Sequence, residues 1–251
     1  MDIPSGLTDP DPDTRAEAYE ELSLEMNDEL AAAILALTSG DEPDEIRADA
    51  IVALGPVIEE CGIEYDEGLE LEPVPEFGPR VSRETFTAIT EQLRAMYADE
   101  SQPKLVRRRV FEVLVRDPRP WQRDEIRRWL ATSDEDWRLT AVFAMGQMTG
   151  LEKELLGVLE TAEGLMLEEA VRAAGRIGLT GAGRLIHDLA ASKTTGRDLR
   201  FEAILALPHV DPDSFDLLDE LSSSKDRELA AVAEAALEDF HAFRGGLDDD
   251  I

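Results

Sequence analysis

The feature that most constrains this 251-residue chain is an internal repeat of about thirty residues. Small or aliphatic anchor positions recur at intervals of 32, 60, 31, 29, 33 and 30 residues, the long interval being two periods. The anchors are Ala18, Ala50, Val110, Ala141, Ala170, Ala203 and Ala233. The residue four positions after each anchor is leucine, methionine or alanine, and it lies on the same face of a helix as the anchor. One helix pair cannot bury such a face alone, so the repeat predicts hairpins stacked in a row.

An arginine stands three positions before the anchor in five of the seven repeats. These arginines are Arg15, Arg47, Arg107, Arg138 and Arg200. With segments such as DEIRADAIVALG and DWRLTAVFAMG, they make the chain resemble HEAT-repeat proteins of the phycobilisome-lyase-like type. The resemblance covers nearly the whole chain and implies an acid–arginine ladder that runs from repeat to repeat through these five arginines.

The predicted fold is all-α, an α-solenoid (superhelix) of about six to seven HEAT-like helical hairpins. We expect a single domain over 1–251, with an irregular insertion at 62–82 and a frayed acidic tail at 245–251. A lone helix at 10–22 is followed by the predicted pairs 28–38 with 43–60, 83–99 with 102–116, 120–132 with 134–148, 151–162 with 164–178, 181–192 with 196–207, and 211–222 with 225–243. The residues five positions after four of the anchors are expected to end or bend the second helices; they are Gly55, Gly146, Gly175 and Pro208.

The insertion at 62–82 has no helical period and is rich in proline and glycine. Its apolar residues alternate with acids, which is typical of a short β-hairpin or an extended arm. Two interpretations stay open: a loop that caps its own repeat, or a recognition arm. The candidate contact residues of such an arm are Tyr65, Leu69, Leu71 and Phe77.

Charge is extreme, with 56 acids against 25 bases and a formal net charge of −31. Because the acids are spread along the chain, adaptation to a salty cytoplasm is favoured over mimicry of nucleic acid or docking of a basic partner. No apolar stretch has the length of a membrane-spanning helix. The first residues, MDIPSGLTDPDPD, lack the pattern of a secretory signal, so a cytoplasmic location is expected.

One region has the opposite local charge. Between Pro103 and Trp129 lie nine bases and four acids, with tryptophans inside the region and just after it. Arginine beside tryptophan is typical of binding hot spots. The candidate partner-binding residues are Arg108, Arg109, Arg116, Arg119, Trp121, Arg123, Arg127 and Trp129. The alternative is that these charges pair locally, for example with Glu112.

No residue set indicates catalysis. Some HEAT-repeat proteins are metal-dependent hydroxylases with repeated His-Glu pairs as iron ligands. If this chain shared that activity, the resemblance would imply a glutamate after its histidines. Here His187, His209 and His241 are followed by aspartate, valine and alanine. Glycine-rich phosphate loops are missing too. We therefore expect no enzyme activity, no metal and no cofactor.

Three functions remain as hypotheses. The first is a non-catalytic scaffold or adaptor that binds a protein partner through its concave face or the 62–82 insertion. The second is a nucleic-acid-associated protein, similar to HEAT-like DNA glycosylases, that uses the Arg/Trp patch at 104–138. Net charge disfavours it, since phosphate neutralisation needs a basic face. The third, a bilin lyase, rests on the shared repeat alone. No membrane partner is expected.

Overall fold

The computed structural model describes residues 5–23, 25–64 and 80–248. The chain divides into two compact units, Met1–Arg119 and Pro120–Ile251. Every regular element in the described ranges is helical, so the all-α fold of HEAT-like hairpins is confirmed. None of the described helices combines the length and apolar character that a membrane crossing requires. A single array over 1–251 stays a prediction.

The first unit contains two helical hairpins and two further helices. Its helices are α1 (Pro12–Ser23), α2 (Asp28–Thr38), α3 (Asp44–Ala53), α4 (Gly55–Glu64), α5 (Arg83–Ala98) and α6 (Lys104–Leu114). The hairpins are α2 with α3 and α5 with α6, and their second helices, α3 and α6, pack on each other. The lone helix α1 packs on α3, as the repeat register predicts.

The second unit contains four hairpins. Its helices are α7 (Pro120–Leu130), α8 (Glu135–Met145), α9 (Glu152–Thr161), α10 (Leu165–Arg176), α11 (Gly183–Ala191), α12 (Arg197–Val210), α13 (Phe215–Ser222) and α14 (Arg227–Asp248). Each odd-numbered helix pairs with the even-numbered helix that follows it. The second helices form a continuous layer in which α8 packs on α10, α10 on α12, and α12 on α14.

Six of the seven anchor positions, Ala233 included, are fully buried in the core, which explains the period; Ala18 is half-buried. Ala50, Val110, Ala141, Ala170 and Ala203 are all fully buried. Burying the aliphatic face of each second helix against its neighbours is the main stabilising contribution, at roughly 25 cal/mol for each Å² of apolar surface removed from water. The small anchor side chains permit this close approach, so the register predicted from the sequence is confirmed.

Two glycines in the second unit lie where consecutive second helices approach most closely. A Cβ atom on Gly146 would come within 2.9 Å of the Ala173 Cα atom, and one on Gly175 within 2.9 Å of the Ala206 Cβ atom. Gly146 caps the C-terminus of α8, as predicted. Gly175 lies inside α10, and Pro208 lies inside α12, which continues to Val210. Close packing therefore accounts for these glycines.

The predicted helix at 43–60 is two helices. The α3 helix ends at Ala53 with Leu54 as its C-cap, and α4 then runs from Gly55 to Glu64. Pro56 explains the break, because proline has no N–H to donate and its ring clashes with the carbonyl of the preceding turn. The first residues of the predicted insertion, 62–64, are helical, as are residues 245–248 of the predicted frayed tail.

Candidate ligand-binding groove

The repeated arginines mostly tie the two helices of one hairpin together. The Nε atom of Arg47 donates to the carbonyl oxygen of Thr38, that of Arg107 to Tyr97, and that of Arg200 to Ala190. The acceptor carbonyls lie at the C-terminal ends of α2, α5 and α11, where helical carbonyls lack intrahelical partners. A guanidinium there also interacts favourably with the helix dipole. We call this contact the arginine lock.

Of the acid–arginine ladder implied by the resemblance, the described residues contain one ion pair that joins two repeats. Arg15 on α1 donates to the Asp49 carboxylate on α3 at 2.7 Å and is itself almost fully buried. Arg47 also lies 3.6 Å from Asp44, but that acid is on its own helix. Arg138 makes neither an arginine lock nor an ion pair with the described residues. The repeated arginine therefore acts within hairpins more than between them.

The predicted Arg/Trp patch falls partly in each unit. In the first unit, Arg108 and Arg109 both reach Glu112, at 3.8 and 2.5 Å. Arg116 pairs with Glu59 at 2.8 Å, and Arg119 donates twice to Asp117 at 2.9 and 2.7 Å. Each of these four guanidinium groups therefore has a carboxylate partner, but Arg108 and Arg109 share Glu112, so three carboxylates offset part of the local positive charge.

The patch residues of the second unit are likewise engaged. Arg123 donates to the Thr149 carbonyl at 3.1 Å, and Arg127 pairs with Glu154 at 2.8 Å. Trp129 stacks on the buried Trp137 with ring centroids 3.9 Å apart, and Arg128 lies over the Trp129 ring. Trp121 lies on α7 and is half-buried. Several partners, such as Glu59 and Glu154, are distant in sequence, so a count of local charges could not reveal them.

The predicted recognition arm cannot be placed. Its candidate contacts Tyr65, Leu69, Leu71 and Phe77 lie outside the described residues.

A charged groove lies instead on the second helices α10 and α12. Its volume is about 420 Å³. Its lining residues are Arg172, Gly175, Arg176, Glu202, Leu205, Ala206 and His209. The close approach of Gly175 to Ala206 forms its floor, and Leu205 exposes 42% of its surface there. None of these residues belonged to the sequence-predicted site.

One arginine organises the polar side of this groove. Arg172 on α10 donates to Glu169 on its own helix and to both carboxylate oxygens of Glu202 on α12. The hydrogen bond to Glu202 raises the pKa of the Arg172 guanidinium. The bidentate contact fixes both side chains, so the groove wall is preorganised across two consecutive repeats.

Glu169 is the most perturbed carboxyl of the groove region. Its side chain is only 14% exposed, and burial raises its pKa above the ordinary glutamate value, against the opposing effect of Arg172 and Arg176. Desolvation disfavours the charged form, whereas nearby guanidinium groups favour it. Here burial has the larger effect. Glu169 can therefore hold a proton at a higher pH than the exposed acids around it.

Arg176 and His209 complete the groove. The Arg176 guanidinium lies 5.7 Å from the centroid of the Phe143 ring and forms no ion pair with any residue that the structure describes. The Nε2 atom of His209 lies 3.7 Å from the Asp239 carboxylate. The groove thus offers a guanidinium that forms no ion pair with the described residues, an imidazole beside Asp239, and an apolar contact at Leu205.

The described residues do not fit a metal centre. Within 5–23, 25–64 and 80–248, no group of three or more histidine, cysteine, aspartate or glutamate side chains lies close enough together to hold an ion. We therefore assign no step to a metal.

Fold and groove together define an all-α protein of HEAT-like hairpins with a charged groove on its second helices. No family model and no curated protein matches the chain. Among solved structures, human deoxyhypusine hydroxylase in complex with glycerol matches with 15% sequence identity and a TM-score of 0.41. The match covers 94% of this chain and 94% of that chain.

This comparison corrects the predicted function. The sequence predicted a non-catalytic scaffold, with a glycosylase-like nucleic-acid-binding alternative and no enzyme activity, whereas the matched protein is an enzyme by name. Those predictions are contradicted and are not carried further. The scaffold prediction rested on the helical repeat and on the lack of catalytic motifs, and the nucleic-acid alternative rested on the Arg/Trp patch. In a helical repeat, however, separate helices contribute the groups of a site, as Arg172 and Glu202 do here.

Proposed function

We propose that this chain binds a small organic carboxylate with an apolar body in the groove of α10 and α12. The observation that carries the proposal is Arg176, whose guanidinium lines the groove and forms no ion pair with the residues that the structure describes, although it acts electrostatically on Glu169. A guanidinium presents paired N–H donors that match a carboxylate. The neighbouring Arg172 is already held by Glu169 and Glu202, so Arg176 is the available donor.

The other groove residues support the same ligand class. Leu205 and the floor at Gly175 and Ala206 offer apolar contact. A volume of about 420 Å³ lies within the range of small-molecule sites. Glu169, with its raised pKa, and His209 are groups of the kind that general acid–base chemistry uses. We propose binding and assign no reaction.

Calorimetric titration tests this function, with hexanoate, phenylacetate and benzoate as probes and their amides as uncharged controls. We expect at least one carboxylate to bind and its amide to bind at least about tenfold more weakly, since hydrogen bonds to charged groups contribute about 1.5 to 3 kcal/mol. Arg176→Gln should weaken binding by a similar factor. The matched control Arg94→Gln changes an equally exposed arginine on α5 and should leave affinity unchanged.

Two outcomes would overturn the proposal: the absence of binding by all three carboxylates, or equal binding by the Arg176→Gln variant and the unmodified protein.

Two further proposals concern the context of the chain. We propose that it belongs to the HEAT-repeat proteins, which the buried anchor register supports. We also propose a cytoplasmic location, supported by the single cysteine of the sequence, since proteins stabilised by disulfides are typical of oxidising compartments.

A further inference from the structure

A second groove lies in the same unit, between the start of α8 and the turn that joins α9 to α10. Its volume is about 530 Å³, and it is independent of the carboxylate groove in residues and in ligand chemistry. Leu139, Ala162, Leu165 and Met166 supply its apolar lining. Leu165 is 72% exposed, more than any other large apolar side chain in the described ranges. Several apolar side chains that converge in one groove form a patch of the kind found at interaction sites.

The backbone fixes this exposed leucine in place. Gly164, the N-cap of α10, has φ 57° and ψ −141°, a conformation that residues with a Cβ atom rarely adopt. Nothing lies within 4 Å of where its Cβ atom would be, so conformation rather than space requires glycine here. The Gly164 carbonyl accepts hydrogen bonds from the N–H groups of Leu167 and Glu168 at 3.0 and 3.1 Å. Leu165 therefore begins a rigid helix and is not on a loose loop.

Acidic side chains surround the apolar lining. Glu135, Asp136 and Glu163 line the groove against a single base, Arg138. The capping of α8 is done by Asp134, whose carboxylate accepts from the N–H groups of Asp136 and Trp137. Asp134 therefore fills the capping role at the start of α8, and the Glu135 carboxylate is not required for it. Neither Glu135 nor Glu163 forms an ion pair with a described residue, so both carboxylates can meet a cationic partner.

We infer that this groove docks a basic amphipathic segment of another protein. Such a segment would place an apolar side chain against Leu165 and Met166 and lysine or arginine side chains against Glu135 and Glu163. Laying the apolar face of a helix into an apolar groove is a common mode of peptide recognition. Charge complementarity selects the sign of the partner, because a chain of net charge −31 attracts cationic segments and repels nucleic acid.

The test uses a fluorescent synthetic helix of lysine and leucine, titrated into the full chain and followed by anisotropy and by amide chemical-shift mapping. Leu165→Ser should weaken binding about fivefold or more, and Glu163→Gln about twofold or more. The matched controls are Val52→Ser, a similarly apolar exposed residue on α3, and Glu220→Gln, an exposed acid on α13. Both should leave affinity within about 1.5-fold of the unmodified protein, as expected for sites away from the interface.

Shift changes centred on residues 162–166 would support the inference. Equal effects of Leu165→Ser and Val52→Ser would overturn it, since binding would then be non-specific attraction to an acidic surface. Unchanged affinity in Leu165→Ser, or tighter binding of a DNA duplex than of the basic helix, would overturn it too. Because Leu165 is largely exposed, its replacement leaves the core intact.

Discussion

Gly175 illustrates how much a single atom matters where repeats meet. It lies in the last turn of α10, where alanine would ordinarily be the better helix former, yet a Cβ atom there would come 2.9 Å from the Ala206 Cβ atom. Gly157 is the matched case without a neighbour, since it is also helical and nothing lies within 4 Å of its Cβ position.

We expect Gly175→Ala to lower the free energy of unfolding by up to about 2 kcal/mol. Overpacking costs about 1 to 3 kcal/mol, and the gain in helix propensity offsets about 1 kcal/mol of it. Gly157 has no such neighbour, so Gly157→Ala should gain helix propensity without overpacking and raise stability by up to about 1 kcal/mol. Urea unfolding of both variants measures the difference. Stabilisation by both substitutions would contradict the packing role of Gly175.

Glu169 gives a prediction about pH. Its pKa is raised by burial, so the folded chain binds more protons than the unfolded chain just above the ordinary glutamate pKa. The contribution of this group to stability is fully present below the unfolded pKa and is lost as pH rises through the folded pKa. We therefore expect Glu169→Gln to flatten the decline in stability across that window.

Carboxyl ¹³C NMR checks the same point directly. The Glu169 resonance should titrate above the usual glutamate range, and Arg172→Gln should move the pKa higher, because Arg172 holds it down. Arg184→Gln, an exposed change on α11, is the control. A Glu169 pKa at or below the ordinary value would refute the dominance of burial.

At the scale of elements, the arginine lock explains why an arginine recurs three positions before the anchor. We expect Arg200→Gln to lower stability by about 1 to 2 kcal/mol, since it removes a charged donor from the Ala190 carbonyl at the end of α11. Arg184→Gln on the neighbouring first helix should change stability by less than about 0.5 kcal/mol. Chemical denaturation compares the two, and equal effects would argue against the lock.

The helices could be predicted from the sequence because burial of one face of each helix imposes the apolar periodicity on which the prediction was based. Paired helices, their order and the buried anchors Ala50, Ala141 and Ala203 all follow from apolar periodicity. The break between α3 and α4 falls at Gly55, which was expected to end or bend the helix, but the predicted helix was extended to residue 60 because the apolar period continues across Leu54.

The groove could not be predicted in the same way. Arg172 and Glu202 are thirty positions apart in sequence, and each is one charged residue among many. Only the packing of α10 on α12 brings them together. The Arg/Trp patch shows the converse. It stood out in the sequence because a count of local charges omits partners from other helices, such as Glu59 for Arg116.

For the molecule as a whole, the acid excess predicts a response to salt. With 56 acids against 25 bases, repulsion between like charges opposes the compact state, and added salt screens it. We expect the urea midpoint to rise when KCl is increased from about 0.1 M to about 1 M, as the Debye length falls from about 10 Å to about 3 Å. A midpoint that is flat or falls would contradict this, and with it the predicted salt adaptation.

The arginine lock also has a consequence for how such a chain can lengthen or shorten during evolution. Because Arg47, Arg107 and Arg200 satisfy carbonyls within their own hairpins, removal of a neighbouring hairpin leaves those carbonyls still bonded, although Arg47 would lose its hydrogen bond to Gln102. What a deletion exposes is mainly aliphatic surface of similar shape from one repeat to the next. A duplicated or deleted segment of about thirty residues can thus be rejoined without leaving the carbonyl at either side unpaired.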